Sequence, residues 1–140
     1  EGVLLEDADR AVAVLKSLKA LGVKLAMDDF GTGYSSLSYL RNFPFDVIKI
    51  DRSFITDLEA DGSARSIVQA ILGLGQALGL SVTAEGVETN EQLAVLTADH
   101  CSEVQGFLMA KPLRAEKLQA LFSEMPELNK AIGDGILKSA

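Results

Sequence analysis

The sequence has few of the residues that most often carry chemistry. Among 140 residues there is one cysteine, Cys101, and one histidine, His100. A lone cysteine excludes an internal disulfide and fits a reducing compartment. Side chains adjacent in sequence rarely face each other, so His100 and Cys101 are assigned to a loop and not to a nucleophile pair. Positive charge is also scarce: 13 Lys and Arg against 20 Asp and Glu give a net charge of −7, with no basic cluster. That excludes sequence-independent binding to a nucleic-acid polymer, which needs a basic footprint. A small phosphate ligand stays possible if metal ions bring the positive charge. No apolar run reaches the ~18 residues of a membrane helix and no signal-type segment opens the chain, so a cytoplasmic chain without a membrane segment is expected. Any anchor of a parent protein would lie elsewhere. Glu1 stands where a complete chain has Met, which reads as a fragment or a processed chain.

What is present is apolar enough for one globular domain with a sizeable core, at 48% hydrophobic residues and a mean hydropathy of +0.21. Asp7 is expected to cap a helix over 8–21, in which Ala11, Val14, Leu15, Leu18 and Leu21 recur at helical spacing, ended by Gly22. A strand over 23–27, a short helix after Tyr34 and a strand over 47–51 follow. In that second strand Lys49 and Asp51 share a face and could pair. A loop through Asp61 and Gly62 leads to a helix capped by Ser63, with Ala64, Ile67, Val68, Ile71, Leu72 and Leu78 inward and Gly79 at its end. A strand over 80–84 precedes a capping box, Thr89-x-x-Gln92, which opens a helix with Leu93 and Leu96 inward. A strand over 103–108, a turn at 111–113 and a helix over 114–122 complete the pattern. Pro126 stops that helix, so a domain over 1–126 and a loose tail over 127–140 are expected. Regular βα alternation implies a parallel sheet with right-handed crossovers. Four such units are half of an eight-fold barrel of about 250 residues, and an open four-stranded α/β sheet is the competing architecture.

The polar residues of interest sit at the ends of these strands. Asp28 and Asp29, Lys49, Glu85 and Gln105 follow one another at spacings of 21 (Asp28 to Lys49), 36 and 20 residues. In a parallel sheet those ends converge on one face. Carboxylates about 4 Å apart repel by roughly 4 kcal/mol per pair at an effective dielectric near 20, so they must be protonated, paired or metal-bound. Oxygen ligands beside a lysine favour Mg²⁺ or Mn²⁺. Each residue alone has a plainer reading: Asp29 as a turn former, Glu85 and Glu88 as first-turn acids on a helix dipole, Gln105 as a structural amide. All four strands ending in such residues argues for a site. The glycine run Gly31-Thr32-Gly33 is not a dinucleotide loop, because two acids precede it and Ser36 stands where the last glycine belongs. Asp29-Phe30-Gly31 matches a kinase metal triplet, but no His-Arg-Asp loop exists.

These residues also carry a family resemblance. Asp28-Asp29-Phe30-Gly31-Thr32-Gly33-Tyr34-Ser35-Ser36-Leu37, Ile48-Lys49-Ile50-Asp51, Ala84-Glu85-Gly86-Val87-Glu88, Gln105-Gly106-Phe107 and Lys111-Pro112-Leu113 resemble, in order and spacing, the carboxyl-terminal half of an EAL domain. The resemblance covers roughly residues 1–122. It implies a partial TIM-like (β/α) barrel of about four βα units. It further implies that the complete domain hydrolyses cyclic di-GMP to linear pGpG with two Mg²⁺ or Mn²⁺ ions, in bacterial second-messenger signalling. In the family pattern Asp28 bridges the metals, Asp29 and Glu85 serve the second metal or the attacking water, and Lys49 holds that water or a phosphate oxygen. Glu88, Gln105 and Pro112 position substrate. Glu1, Gly31, Thr32 and Gly33 belong to a loop switch that couples metal binding to a homodimer. Strict alternation would point Asp28 and Asp29 to opposite faces, so this assignment requires the chain to turn at the strand end. The Glu-Ala-Leu signature and the other metal ligands would lie before Glu1. The chain alone is therefore expected to be inactive, with other signalling domains on its parent, and a non-catalytic cyclic di-GMP receptor is the alternative.

Overall fold

The computed structural model describes residues 2–32, 37–58 and 62–117. The chain divides into two compact units, Glu1–Met109 and Ala110–Ala140. In the first, helix α1 (Gly2–Ala20) precedes strand β1 (Ala26–Phe30), helix α2 (Leu37–Asn42), strand β2 (Val47–Ile50) and helix α3 (Arg52–Thr56). Helix α4 (Gly62–Leu78), strand β3 (Ser81–Glu85), helix α5 (Asn90–Ala98) and strand β4 (Glu103–Gln105) follow. The strands form one parallel sheet in the order β1-β2-β3-β4, as βα alternation predicts. In the second unit residues 115–117 are helical. The remainder of the expected 114–122 helix and the 127–140 tail lie outside the described residues.

One face of the sheet makes the core. Ile48 and Ile50 of β2 and Val82 and Ala84 of β3 pack with Ile55 of α3, Val68, Ile71 and Leu72 of α4 and Leu96 of α5. Each large aliphatic side chain buried there contributes about 1.5–3 kcal/mol. The register Val47↔Ser81, Ile48↔Val82, Lys49↔Thr83 puts Lys49, Thr83 and Glu85 on the opposite face, and the buried Thr83 hydroxyl donates to Glu103 at 2.9 Å. The sheet is thus apolar towards its helices and polar on the side a closed barrel would enclose.

Several sequence expectations are corrected. The first helix begins at Gly2, so Asp7 is inside it and is not its cap. It ends at Ala20 and not at 21, and its apolar residues Val14 and Leu18 are 54% and 39% exposed, with Leu21 just beyond it at 78%. Strand β1 runs three residues later than expected and contains both aspartates, whereas β4 ends at Gln105 and not at 108. Helix α4 starts at Gly62, ahead of Ser63, and Ile67 and Leu78 lie on its exposed side while Gly75 is buried. Gly75 faces β3 closely, since a Cβ there would meet Val82 Cγ2 at 2.3 Å, which rotates the buried stripe away from Ile67 and Leu78. The segment expected to be a loop before Asp61 holds α3. Gly79, at φ +69°, ends α4 as expected, and the Thr89–Gln92 capping box is present in both directions.

Candidate functional site

The site is built at the carboxyl ends of β1, β2 and β3. Strand β1 carries an irregularity: Met27 pairs with Ile48 and Phe30 with Ile50, so three steps on one strand match two on the other. Met27 and Phe30 both pack towards the core, and the two residues between them are left on the far side. Those two are Asp28 and Asp29. Asp29 takes the extra step at φ +51°, a left-handed conformation for which Asp pays less than most residues. The turn closes behind it, with Thr32 N–H and Thr32 Oγ1 donating to the Asp29 carbonyl at 3.3 and 2.9 Å. Gly31 follows at φ +103°, a conformation that favours glycine, and a Cβ there would lie 2.6 Å from the Phe54 ring and have to push it aside.

Glu85 arrives as the last residue of β3. One carboxylate oxygen from each of Asp28, Asp29 and Glu85 lies within 4.8 Å of the others. The Lys49 ammonium, carried up from β2, donates to Asp28 Oδ1 at 3.0 Å and pairs with Glu85. The bond to Glu85 first and that to Asp28 after it raise the Lys49 pKa against the opposing pull of burial, so it stays charged. The plainer alternative, a Lys49–Asp51 pair, does not form: Asp51 has left the strand and caps α3, accepting from Ser53 N–H at 2.9 Å and from its hydroxyl at 2.5 Å. Three carboxylates against one ammonium leave two negative charges. Hard oxygen donors with that residual charge fit a divalent cation, with Asp28, Asp29 and Glu85 as the side chains that would hold it.

Beside the cluster is a cavity of about 290 Å³ lined by Asp29, Asp51, Arg52, Glu85, Gly86, Glu88, Gln105, Gly106 and Phe107. Gln105 is level with Glu85 across the β3–β4 pair, and the Val87 N–H donates to its carbonyl at 3.1 Å. Glu88 is held at the backbone, its N–H donating to Gln92 Oε1 at 2.8 Å, while its exposed carboxylate lines the cavity. Of the residues singled out from sequence, Asp28, Asp29, Lys49, Glu85, Glu88 and Gln105 come together, with Gly31 and Thr32 in the adjoining turn. Pro112 belongs to the second unit, and Glu1 and Gly33 lie outside the described residues. Arg52 was missed, and Phe107, part of the recognised Gln105-Gly106-Phe107 motif, had been given no role. Arg52 directly follows the Ile48–Asp51 motif, and that position was the available signal. A larger cavity of about 620 Å³, lined by α4, the end of α5 and the start of β3, contains none of these residues.

A parallel βα sheet of barrel type, with an oxygen-rich candidate metal centre where its strands end, is the class that fold and site define. The chain belongs to the EAL domain family, whose family model matches residues 1–112. It is 50% identical over 85% of its length to the cyclic di-GMP phosphodiesterase NbdA of Pseudomonas aeruginosa, of which it covers 15%. Among solved structures it resembles the PaMucR phosphodiesterase in complex with c-di-GMP, with a TM-score of 0.75 and 49% identity, over 80% of this chain and 45% of that one. It also resembles Klebsiella pneumoniae BlrP1 in a manganese/cy-diGMP complex, with a TM-score of 0.67 and 43% identity, over 71% of this chain and 26% of that one. The chain therefore spans about one-sixth of the curated relatives it matches and under half of these solved chains.

Proposed function

We propose that the complete domain to which this chain contributes is a metal-dependent phosphodiesterase that hydrolyses cyclic di-GMP to linear pGpG. The observation that carries this reading is the approach of Asp28, Asp29 and Glu85 oxygens to within 4.8 Å, with Lys49 bonded to two of the three. Manganese and calcium complexes with the cyclic dinucleotide in BlrP1 support a divalent ion here, and Mg²⁺ or Mn²⁺ in a two-ion site is the specific form proposed. When bound, such ions supply Lewis acidity and positive charge towards a phosphodiester. Asp28, Asp29 and Glu85 hold them. The Lys49 ammonium then orients the attacking water or a phosphate oxygen, and water addition at phosphorus with cleavage of one P–O bond opens the ring. Glu88, Gln105 and Pro112 position the nucleotide. Glu1, Gly31, Thr32 and Gly33 form the switch that links metal occupancy to a homodimer.

The test is Asp28→Asn in the full-length protein, assayed for pGpG with Mn²⁺ or Mg²⁺. Partners one step removed from metal ligands are worth about 10–100-fold, so loss of a ligand carboxylate is expected to cost more than about 100-fold in kcat with the fold retained by circular dichroism. Undiminished turnover overturns the assignment. Tight cyclic di-GMP binding by the wild type without product would establish the receptor alternative.

A further inference from the structure

We infer that Arg52 holds the phosphate of the cyclic dinucleotide that is not being cut, which makes it a further substrate-contacting residue; this rests on the cyclic di-GMP reading above. Among the described residues, the cavity beside the carboxylate cluster is lined by four acids, Asp29, Asp51, Glu85 and Glu88, and by one cation, Arg52. A cyclic dinucleotide carries two phosphodiesters, each with one negative charge. The phosphate at the cluster has the Lys49 ammonium and the ions the cluster holds. The other enters a cavity whose acids would repel it unless a cation meets it there.

Arg52 is placed for that task. It is exposed, and no ion pair within 4 Å joins it to Asp28, Asp29 or Glu85, so it is at the edge of the cluster and not a part of it. The Asp51 carboxylate beside it is engaged by Ser53 N–H and Oγ. The arginine stem is fixed as well. It starts at the first position of α3 and lies against Gly86, where a Cβ would be 2.5 Å from Arg52 Cβ. Glycine at 86, the residue after β3, leaves the room that Arg52 Cα, Cβ and Cγ occupy. A guanidinium is the group suited to a phosphate, since its planar fork offers two parallel hydrogen bonds.

The test uses the full-length protein with Mn²⁺ and two substrates, cyclic di-GMP and bis(p-nitrophenyl) phosphate, which has one phosphodiester and no second phosphate. Arg52→Ala is expected to raise KM for cyclic di-GMP about tenfold or more, from loss of a charge-assisted hydrogen bond, with kcat within about twofold. KM for the one-phosphate substrate is expected to move less than about twofold, and Arg52→Lys to recover part of the cyclic di-GMP loss. An unchanged KM for cyclic di-GMP, or equal losses on both substrates, overturns the inference while leaving the hydrolase reading intact. A wild-type protein inert on cyclic di-GMP overturns both.

Discussion

Asp29 is the residue on which the site turns. Strict strand alternation would send Asp28 and Asp29 to opposite faces, and the sequence offered only the glycines at 31 and 33 as a reason for the chain to bend. The structure puts the bend two residues before the first of them, in Asp29 itself, at φ +51°. A bulge of this kind is invisible to periodicity, because nothing in residue type separates an Asp that continues a strand from one that steps out of it. The residue types and strand ends of Lys49, Glu85 and Gln105 were legible. The partner of Lys49 was not, because Asp51 is nearer in sequence, whereas Asp28 and Glu85 come from neighbouring strands. Since Lys49 offsets part of the carboxylate repulsion, Lys49→Ala in the complete domain is expected to lower the metal-free Tm by about 2–4 °C, the equivalent of about 1 kcal/mol in a domain of about 250 residues. Saturating Mn²⁺ is expected to restore most of that loss, since ions that bind only the folded state stabilise it. Calorimetry with and without Mn²⁺ checks this, and a deficit that Mn²⁺ leaves unchanged would show that Lys49 does not share the cluster's charge.

At the scale of elements, termini were read better than faces. The Thr89–Gln92 box satisfies two orphan N–H groups reciprocally, and Thr89→Ala is expected to cost about 1 kcal/mol in urea unfolding. The short helix α3 escaped because five residues cannot show a helical period, although Asp51-x-Ser53 already held its capping signal. Helix α4 is tied to the end of α5 by Asp99, which accepts two bonds from Arg65 at 3.1 Å and one from Gln69 at 3.0 Å. Arg65 first and Gln69 second hold the Asp99 carboxyl below its usual pKa. Lys19 at 2.6 Å, followed by the Leu25 N–H, does the same for Asp46 and fastens α1 to the sheet. For a lowered carboxyl the unfolded chain binds more protons near pH 4, so the stabilisation is present above the unfolded pKa of about 3.9 and is lost as pH falls through the folded value. Asp99→Asn is therefore expected to lower stability at pH 7 and to flatten its acid-side decline below about pH 4, read as urea midpoints across pH. A variant with an unchanged acid limb would contradict the role of this clamp.

The described strands of the first unit form an open sheet. Parallel sheets are ordinarily covered on both faces, yet here the face opposite the helices carries Lys49, Glu85 and Gln105, and β1 and β4 are edges among the described residues. Val14 and Leu18 on α1, with Leu21 in the turn after it, add an exposed apolar stripe. Residues 1–140 expressed alone are expected to self-associate and to show negligible turnover; a compact monomer by sedimentation, or efficient hydrolysis, would contradict this. The four-unit architecture and its parallel strands were legible because βα alternation leaves few topologies. The exposure of α1 was not, because an amphipathic stripe states that a face is apolar and not what covers it. The central claim is that Asp28, Asp29 and Glu85 are a metal site, and it is tested most directly by anomalous diffraction at the manganese edge from crystals of the complete domain grown with Mn²⁺. A peak within about 2.0–2.6 Å of oxygens from all three side chains, absent in Asp28→Asn, is the predicted result. Manganese bound elsewhere, with these three carboxylates paired only to Lys49, would contradict it.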